Sequence, residues 1–265
     1  RNALEVIRND NVSGATALSQ QAAQLLLRFV DRCESEPGEG FWQQLGSLSR
    51  ELIRAQPAMA PMVNLANQVF WALEGVPPAE QTRAVRAAVM DFLRCVQQLP
   101  VVYRQLARAV IPPGATVFTY SYSQAVVDLL REARPGAVLC TEGRPAGEGI
   151  RLASELSTLG LRVTLGIDAA VFHLMEQASL AVVGADAVTL RQVVNKIGTP
   201  LVALAARHFG KPLYCACGSE KFVPAGYELA PERPRNPSEI TSAVPQNVHV
   251  ENRYFEPTPC EWFAG

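Results

Sequence analysis

Apolar residues in the first 111 positions recur at intervals of three and four, the spacing that gives a helix one apolar face. The clearest stripe runs through Ala15, Leu18, Ala22, Leu25, Leu26 and Phe29. Similar stripes cover residues 41–54, 60–73, 79–97 and 99–110. Prolines and glycines interrupt the pattern and predict helix breaks at 36–40, 56–57, 76–78 and Pro100. Residues 1–111 are therefore predicted to form a helical N-terminal domain.

The pattern changes after the segment Pro112-Pro113-Gly114, which cannot continue a helix. Short apolar runs then occur at 115–120, 137–142, 161–166, 179–184 and 212–217. They alternate with amphipathic segments near 123–133, 147–159, 169–177 and 198–209. Continuous apolar runs are typical of parallel strands buried on both faces, and their alternation with helices predicts right-handed crossovers. Residues 112–265 are thus predicted to form an α/β domain with a Rossmann-like, doubly wound parallel sheet.

Composition narrows the possible functions. The 265 residues are 48% hydrophobic and 18% charged, which is typical of a globular protein, and the formal net charge of −1 argues against general nucleic-acid binding. No apolar run approaches the length of a membrane span, and the first residues lack the order of a signal peptide, so a cytoplasmic protein is expected. Without a dinucleotide fingerprint, a phosphate-binding loop or a CxxC pair, neither a cofactor nor a metal is predicted. Cys215 and Cys217 would share one face of a strand, as core residues or as a metal or redox pair.

The residues that follow the predicted strands are the candidates for chemistry, because ligands of open parallel sheets bind outside the carboxyl ends of the strands. Asp186 ends one apolar run. It could act as a general acid or base if burial raises its pKa, or it could cap a turn. Asn195 and Lys196 precede a predicted helix, whose N-terminus would attract a phosphate, although Lys196 could equally be a solvated surface residue.

Two further loops offer phosphate contacts. Arg144 follows the second predicted strand and could grip a phosphate with both arms of its guanidinium, or pair with Glu142 or Glu148. The hydroxyls of Thr119, Ser121 and Ser123 lie at a strand-to-helix turn, where they could bind phosphate oxygens or cap the helix.

Taken together, these motifs resemble those of one superfamily. The run at 182–215, VVGADAVTLRQVVNKIGTPLVALAARHFGKPLYC, is similar to the signature of the translation initiation factor 2B alpha, beta and delta subunits, 5-methylthioribose-1-phosphate isomerase and ribose-1,5-bisphosphate isomerase. TEGRPAGEGIRLASEL at 141–156 resembles the family's TESRP loop and helix, and FEPTPCEW at 255–262 its C-terminal segment. IRNDNVSGATAL at 7–18 and QPAMAPMVNLAN at 56–67 resemble its two helical motifs.

The resemblance implies a ligand site between a helical domain and a Rossmann-like domain, in a homodimer or higher oligomer. It implies that Asp186 carries chemistry and that Asn195 and Lys196 bind a phosphosugar. At the other family positions this chain differs. Ser121 stands in place of the isomerases' cysteine, and Ser13, before Gly14 and Ala15, in place of an arginine. Gln56 replaces a second arginine, and Glu148 replaces a glutamine.

These departures favour a ligand-binding role over the family's isomerase reaction. A serine hydroxyl cannot provide a thiolate, and the loss of two arginines removes contacts that would hold a phosphate, each of which contributes about 1.5–3 kcal/mol. The leading hypothesis is a translation initiation factor 2B subunit-like protein that binds a phosphorylated sugar or a nucleotide. The alternative is an aldose–ketose isomerase in which Asp186 moves a proton and Ser121 orients the sugar. A third possibility is a scaffold whose pocket stays empty.

Overall fold

The computed structural model describes residues 2–10, 13–35, 40–232 and 234–265. The N-terminal part consists of helices α1 (Asn2–Asn9), α2 (Ala15–Ser35), α3 (Phe41–Ala55), α4 (Ala60–Trp71) and α5 (Gln81–Val110). Their apolar stripes meet in one core, which buries Leu18, Leu26, Leu45 and Met62. The predicted helical N-terminal region is confirmed.

The predicted break at Pro100 is wrong, because α5 continues through it as one helix of 30 residues. Proline in a helix interior removes a hydrogen bond and costs about 3 kcal/mol. Packing on both sides offsets this cost. Val96 lies in the helical core, whereas Tyr103 and Ala107 lie in the core of the sheet region. One helix therefore joins the two parts of the chain. A division into two domains near residue 112 stays a prediction.

The remaining elements alternate along the chain. In order they are β1 (Thr116–Thr119), α6 (Gln124–Ala133), β2 (Ala137–Thr141), α7 (Glu148–Thr158), β3 (Val163–Gly166), α8 (Val171–Gln177), β4 (Leu180–Val183), β5 (Ala187–Val188), β6 (Gln192–Lys196), α9 (Thr199–His208), β7 (Leu213–Cys215) and β8 (Phe255–Pro259). Five of the strands form a parallel sheet in the order β3-β2-β1-β4-β7. All five apolar runs named as strands are strands of this sheet.

Alternate residues of the central strands enter two separate cores. Val117 of β1 packs with α6 and α7, whereas its neighbour Phe118 packs with α8 and α9. Because successive strand side chains point to opposite faces, helices on both faces require apolar residues at every position. The predicted doubly wound parallel α/β architecture is confirmed.

The strand order reverses between β1 and β4. The chain runs outward through β1, β2 and β3, and then returns to place β4 on the other side of β1. This reversal leaves a crevice at the carboxyl ends of β1 and β4, the usual ligand position in such sheets. Ser121 follows β1 and Asp186 follows β4, so both residues flank the crevice.

A second sheet was not predicted. Strands β5, β6 and β8 form an antiparallel sheet in that order, with Asn195 paired to Glu256 and Lys196 to Phe255. Asn195 and Lys196 therefore end a strand, with α9 beginning at Thr199. The small sheet carries this pair to the crevice of the large one.

Candidate functional site

Two neighbouring cavities occupy the switch point between β1 and β4. The larger chamber, about 280 Å³, lies between α2, α5 and the tips of β1, β4 and β7. The smaller chamber, about 50 Å³, lies beside the end of β6. The residues that line both chambers are Ser13, Gly14, Tyr122, Asp186 and Asn195. We treat the two as one site.

The structure brings nine of the ten sequence-predicted site residues to these chambers. Eight line the smaller chamber, namely Ser13, Gly14, Gln56, Ser121, Glu148, Asp186, Asn195 and Lys196. Ala15 lines the larger one. These residues come from six separate segments, which the helical region and the two sheets carry to one place.

Arg144 is the exception. Its guanidinium donates to the backbone carbonyls of Glu239 and Ile240, both at 3.2 Å, and the residue lines neither chamber. The backbone of the loop that contains Arg144 is held by Asp168. The carboxylate of Asp168 accepts hydrogen bonds from the amides of Gly143 and Arg144 at 2.9 and 2.7 Å. Arg144 therefore secures the 239–240 segment, and the considered pairs with Glu142 or Glu148 do not form.

Asp186 has the acid–base character that its position at the strand tip suggested. Burial raises the pKa of its carboxyl to about 6. The positive charges of Lys221 and Lys196 oppose this rise, whereas Glu148 and Glu232 add to it. A carboxyl group with a pKa near 6 can both accept and donate a proton near neutral pH.

Lys196 is neutralised within the site. Its Nζ lies 2.7 Å from Oε1 of Glu148, and the two side chains are only 3% and 14% exposed. The ammonium also lies 4.6 Å from the centroid of the Tyr254 ring. Oε2 of Glu148 is buried without a hydrogen-bond partner. Glu148 thus balances the cation that the sequence had suggested for phosphate binding.

Lys221 is one of the chamber residues that the sequence did not point to. It lies in a short 3-10 turn, Ser219–Lys221, is 5% exposed and lines the larger chamber. Among the described residues its ammonium makes no hydrogen bond or ion pair, unlike that of Lys196. Its charge acts on Asp186, whose pKa it lowers, and a largely buried cation that forms no ion pair favours an anionic ligand in the chamber.

The helical region holds the site segments in place. The side-chain amide of Asn64, on α4, donates to the carbonyls of Glu220 and Phe222 at 2.7 and 2.8 Å, on either side of Lys221. The amide of Ala60 donates to the carbonyl of Asp186 at 3.0 Å. Lys221 and Asp186 are therefore positioned by contacts across the boundary between the two parts of the chain.

Gln56 plays a similar part at the end of α1. Its side-chain amide donates to the carbonyls of Ile7 at 2.8 Å and Asp10 at 3.2 Å. Only 2% of this residue is exposed. Although Gln56 lines the smaller chamber, both protons of its amide already have protein acceptors, so it contributes to the site by fixing the backbone of Ile7 and Asp10.

Two backbone features, a close contact and an unusual φ angle, shape the walls of the site. A Cβ on Gly149 would lie 1.7 Å from the carbonyl oxygen of Thr141, so only glycine lets α7 start against the tip of β2 and aim Glu148 at Lys196. Ser121 adopts a φ of 62°, a left-handed conformation that is uncommon for serine. Such backbone strain is often found where a side chain must face a ligand.

Within the described ranges, no cluster of three or more histidine, cysteine, aspartate or glutamate side chains is arranged to hold a metal ion. None of the described helices has the length and apolar character needed to cross a membrane.

The fold and the site define a member of a family that joins translation factors and sugar-phosphate isomerases. The chain belongs to the initiation factor 2 subunit family, whose model matches residues 11–264. It is 28% identical over 273 residues to a putative translation initiation factor eIF-2B subunit 2-like protein of Pyrococcus horikoshii, covering 99% of this chain and 92% of that protein. It is also 28% identical to the ribose 1,5-bisphosphate isomerase of Archaeoglobus fulgidus, covering 98% and 85%.

The solved structures agree with these relatives. The crystal structure of the Pyrococcus horikoshii translation initiation factor eIF-2B superimposes with a TM-score of 0.84 at 27% identity, covering all of this chain and 92% of the other. Relatives with both kinds of activity therefore share the fold and most of the length of this chain.

Proposed function

We propose that this protein binds a phosphorylated sugar or a nucleotide at the switch-point chambers, in a role like that of the translation initiation factor 2B subunits. The observation that carries the proposal is Lys221, a largely buried lysine that makes no hydrogen bond or ion pair with the described residues and lines a chamber of about 280 Å³. An anionic group of the ligand would satisfy this charge, and Asp186 and Asn195 would bind hydroxyl groups beside it.

The proposal moves the anion contact away from Lys196. Because Glu148 pairs with Lys196 at 2.7 Å, a phosphate in the smaller chamber would have to displace or face that carboxylate. In the larger chamber a phosphate meets Lys221, which forms no ion pair with the described residues, although Asp186 also lines this chamber. The ligand's phosphate is therefore assigned to the larger chamber, and its sugar hydroxyls to the side of Asp186.

Calorimetric titration tests the proposal with ribose 5-phosphate, ribose 1,5-bisphosphate and AMP as probes and with ribose as the unphosphorylated control. At least one phosphorylated probe should bind, and ribose should bind far more weakly. A charge-assisted hydrogen bond contributes about 1.5–3 kcal/mol, so Lys221→Met should weaken binding by roughly 10- to 150-fold. Lys211→Met, which removes a lysine outside both chambers, should leave binding unchanged. Equal binding by wild type and Lys221→Met would refute the assignment.

A second function, aldose–ketose isomerisation, is favoured by one observation. The pKa of Asp186, raised to about 6, suits a group that removes a proton from one sugar carbon and returns it to the next. Ser121, at the tip of β1, would orient the sugar. This function would be established if the wild type converts ribose 1,5-bisphosphate or 5-methylthioribose 1-phosphate to the ketose and Asp186→Asn does not. Absence of turnover with retained binding would leave the ligand-binding role alone.

Assembly into a homodimer or higher oligomer and a cytoplasmic location stay predictions. Sedimentation of the purified chain and microscopy of a tagged copy in its host test them directly.

A further inference from the structure

Three cysteines meet where the end of β7 packs against the small antiparallel sheet. Cys215, Cys217 and Cys260 border an apolar cluster of Ala185, Val188 and Val193. The thiol of Cys215 lies 3.9 Å from Sγ of Cys217, toward which it is oriented as a donor. Cys215 and Cys217, which were expected on one face of a strand, therefore have their sulfur atoms in contact.

Only one of these thiols reaches the site. Cys217 lines the larger chamber together with Lys221 and Asp186, whereas Cys215 and Cys260 line neither chamber. Cys217 is partly exposed, and it lies four residues before the unpaired ammonium of Lys221. A thiol becomes a reactive thiolate most readily when it is accessible from a cavity, lies near a cation and accepts a hydrogen bond. Cys217 has all three features, with Lys221 as the cation and Cys215 as the donor.

We propose that Cys217 is a nucleophilic thiol of the larger chamber, activated by Cys215 and Lys221, and that it forms mixed disulfides with small disulfide molecules. The thiolate of Cys217 attacks one sulfur of the incoming disulfide, and a new sulfur–sulfur bond forms as the old one breaks. The departing sulfur leaves with the electron pair as a thiolate and takes a proton from water. The incoming disulfide is the oxidant, so no other reactant is needed.

The electrostatics of the cluster agree with this geometry. The hydrogen bond from Cys215 lowers the pKa of the Cys217 thiol, and the charge of Lys221 lowers it further, against the opposing effects of burial and Glu220. The pKa of Cys215 is raised well above its usual value by the same hydrogen bond and by burial. Burial also raises the pKa of Cys260. The direction of these shifts favours ionisation at Cys217, the thiol that lines the larger chamber.

Competitive labelling of the full chain tests the proposal. The protein is treated with limiting iodoacetamide near neutral pH, and the extent of labelling at each cysteine is followed by peptide mass spectrometry. Lowering a thiol pKa by one unit raises the reaction rate roughly three-fold, because the gain in thiolate exceeds the loss of nucleophilicity. Cys217 should therefore react measurably faster than Cys95, an exposed cysteine on α5. With glutathione disulfide, the first mixed disulfide should form at Cys217.

The variants separate activation from simple access. Cys215→Ala removes the donor, Lys221→Met removes the cation, and Lys211→Met is the matched lysine control, which should change nothing. A slower reaction of Cys217 in either of the first two variants supports the proposal. The proposal is overturned if Cys217 of the wild type reacts no faster than Cys95. It is also overturned if neither variant slows the reaction of Cys217. Because labelling needs no sugar phosphate, this result is independent of the function proposed above.

Discussion

Asp186 is expected to reduce the stability of the fold when it is ionised. Its pKa rises from 3.8 to about 6 in the native protein, chiefly through burial. One pKa unit corresponds to 1.36 kcal/mol, so a shift of about two units corresponds to about 3 kcal/mol. Because the native pKa is the higher one, this carboxyl stabilises the fold fully only below about pH 3.8, and the stabilisation is lost as the pH rises through about 6.

Asp186→Asn replaces the carboxylate with a neutral group of the same shape. Near pH 8 the variant should exceed the wild type in free energy of unfolding by up to about 3 kcal/mol, and the two should converge as the pH falls to about 4. Urea unfolding followed by circular dichroism at several pH values between these limits measures the difference. The repulsion from Glu148 and Glu232 and the attraction to the two lysines are already contained in the shifted pKa.

Asp168→Asn is the matched control. The Asp168 carboxylate accepts two backbone hydrogen bonds, at 2.9 and 2.7 Å, so its replacement by an amide should destabilise the protein. The same chemical change should therefore have opposite signs at the two positions near pH 8. If Asp186→Asn lowers the stability near pH 8, or shifts it equally at every pH, the buried and ionisable character assigned to Asp186 is wrong.

Two further substitutions test the walls of the site. Gly149→Ala should destabilise the protein by at least about 3 kcal/mol, because its Cβ would meet a backbone carbonyl at 1.7 Å. The control Gly46→Ala, within α3, should be neutral or slightly stabilising. Thermal unfolding of both variants measures the difference. Glu148→Ala should cost about 3 kcal/mol because it leaves Lys196 buried and unpaired, whereas Glu251→Ala breaks an exposed pair with Arg253 and should have little effect. Similar losses in the two glutamate variants would refute the burial argument.

The main sheet could be read from the sequence because its three central strands are buried on both faces. The side chains of β1, β2 and β4 alternate between two cores, so each of these strands appears in the sequence as an uninterrupted apolar run. The small antiparallel sheet could not be read in this way. Its strand β8 contains Pro257 and Pro259, which argue against a strand, but β8 is at the edge of its sheet, where proline is tolerated.

The site was partly predictable for the same geometric reason. The rule that ligands bind at the carboxyl ends of parallel strands brought Ser121 and Asp186 together without knowledge of any side-chain contact. It gave no sign of the ion pair between Glu148 and Lys196, whose partners are 48 residues apart in sequence. It also pointed to the segment after β7, where Lys221 lies, but a lone lysine two residues beyond a glycine-serine turn carries no local pattern.

The central claim is that an anionic ligand is held by Lys221 in the larger chamber. The most direct test is a crystal structure of the protein soaked with ribose 5-phosphate. The account predicts a phosphate oxygen within hydrogen-bond distance of Nζ of Lys221, with the ion pair between Lys196 and Glu148 intact. A phosphate bound at Lys196 with Glu148 displaced, or a ligand outside both chambers, would contradict it.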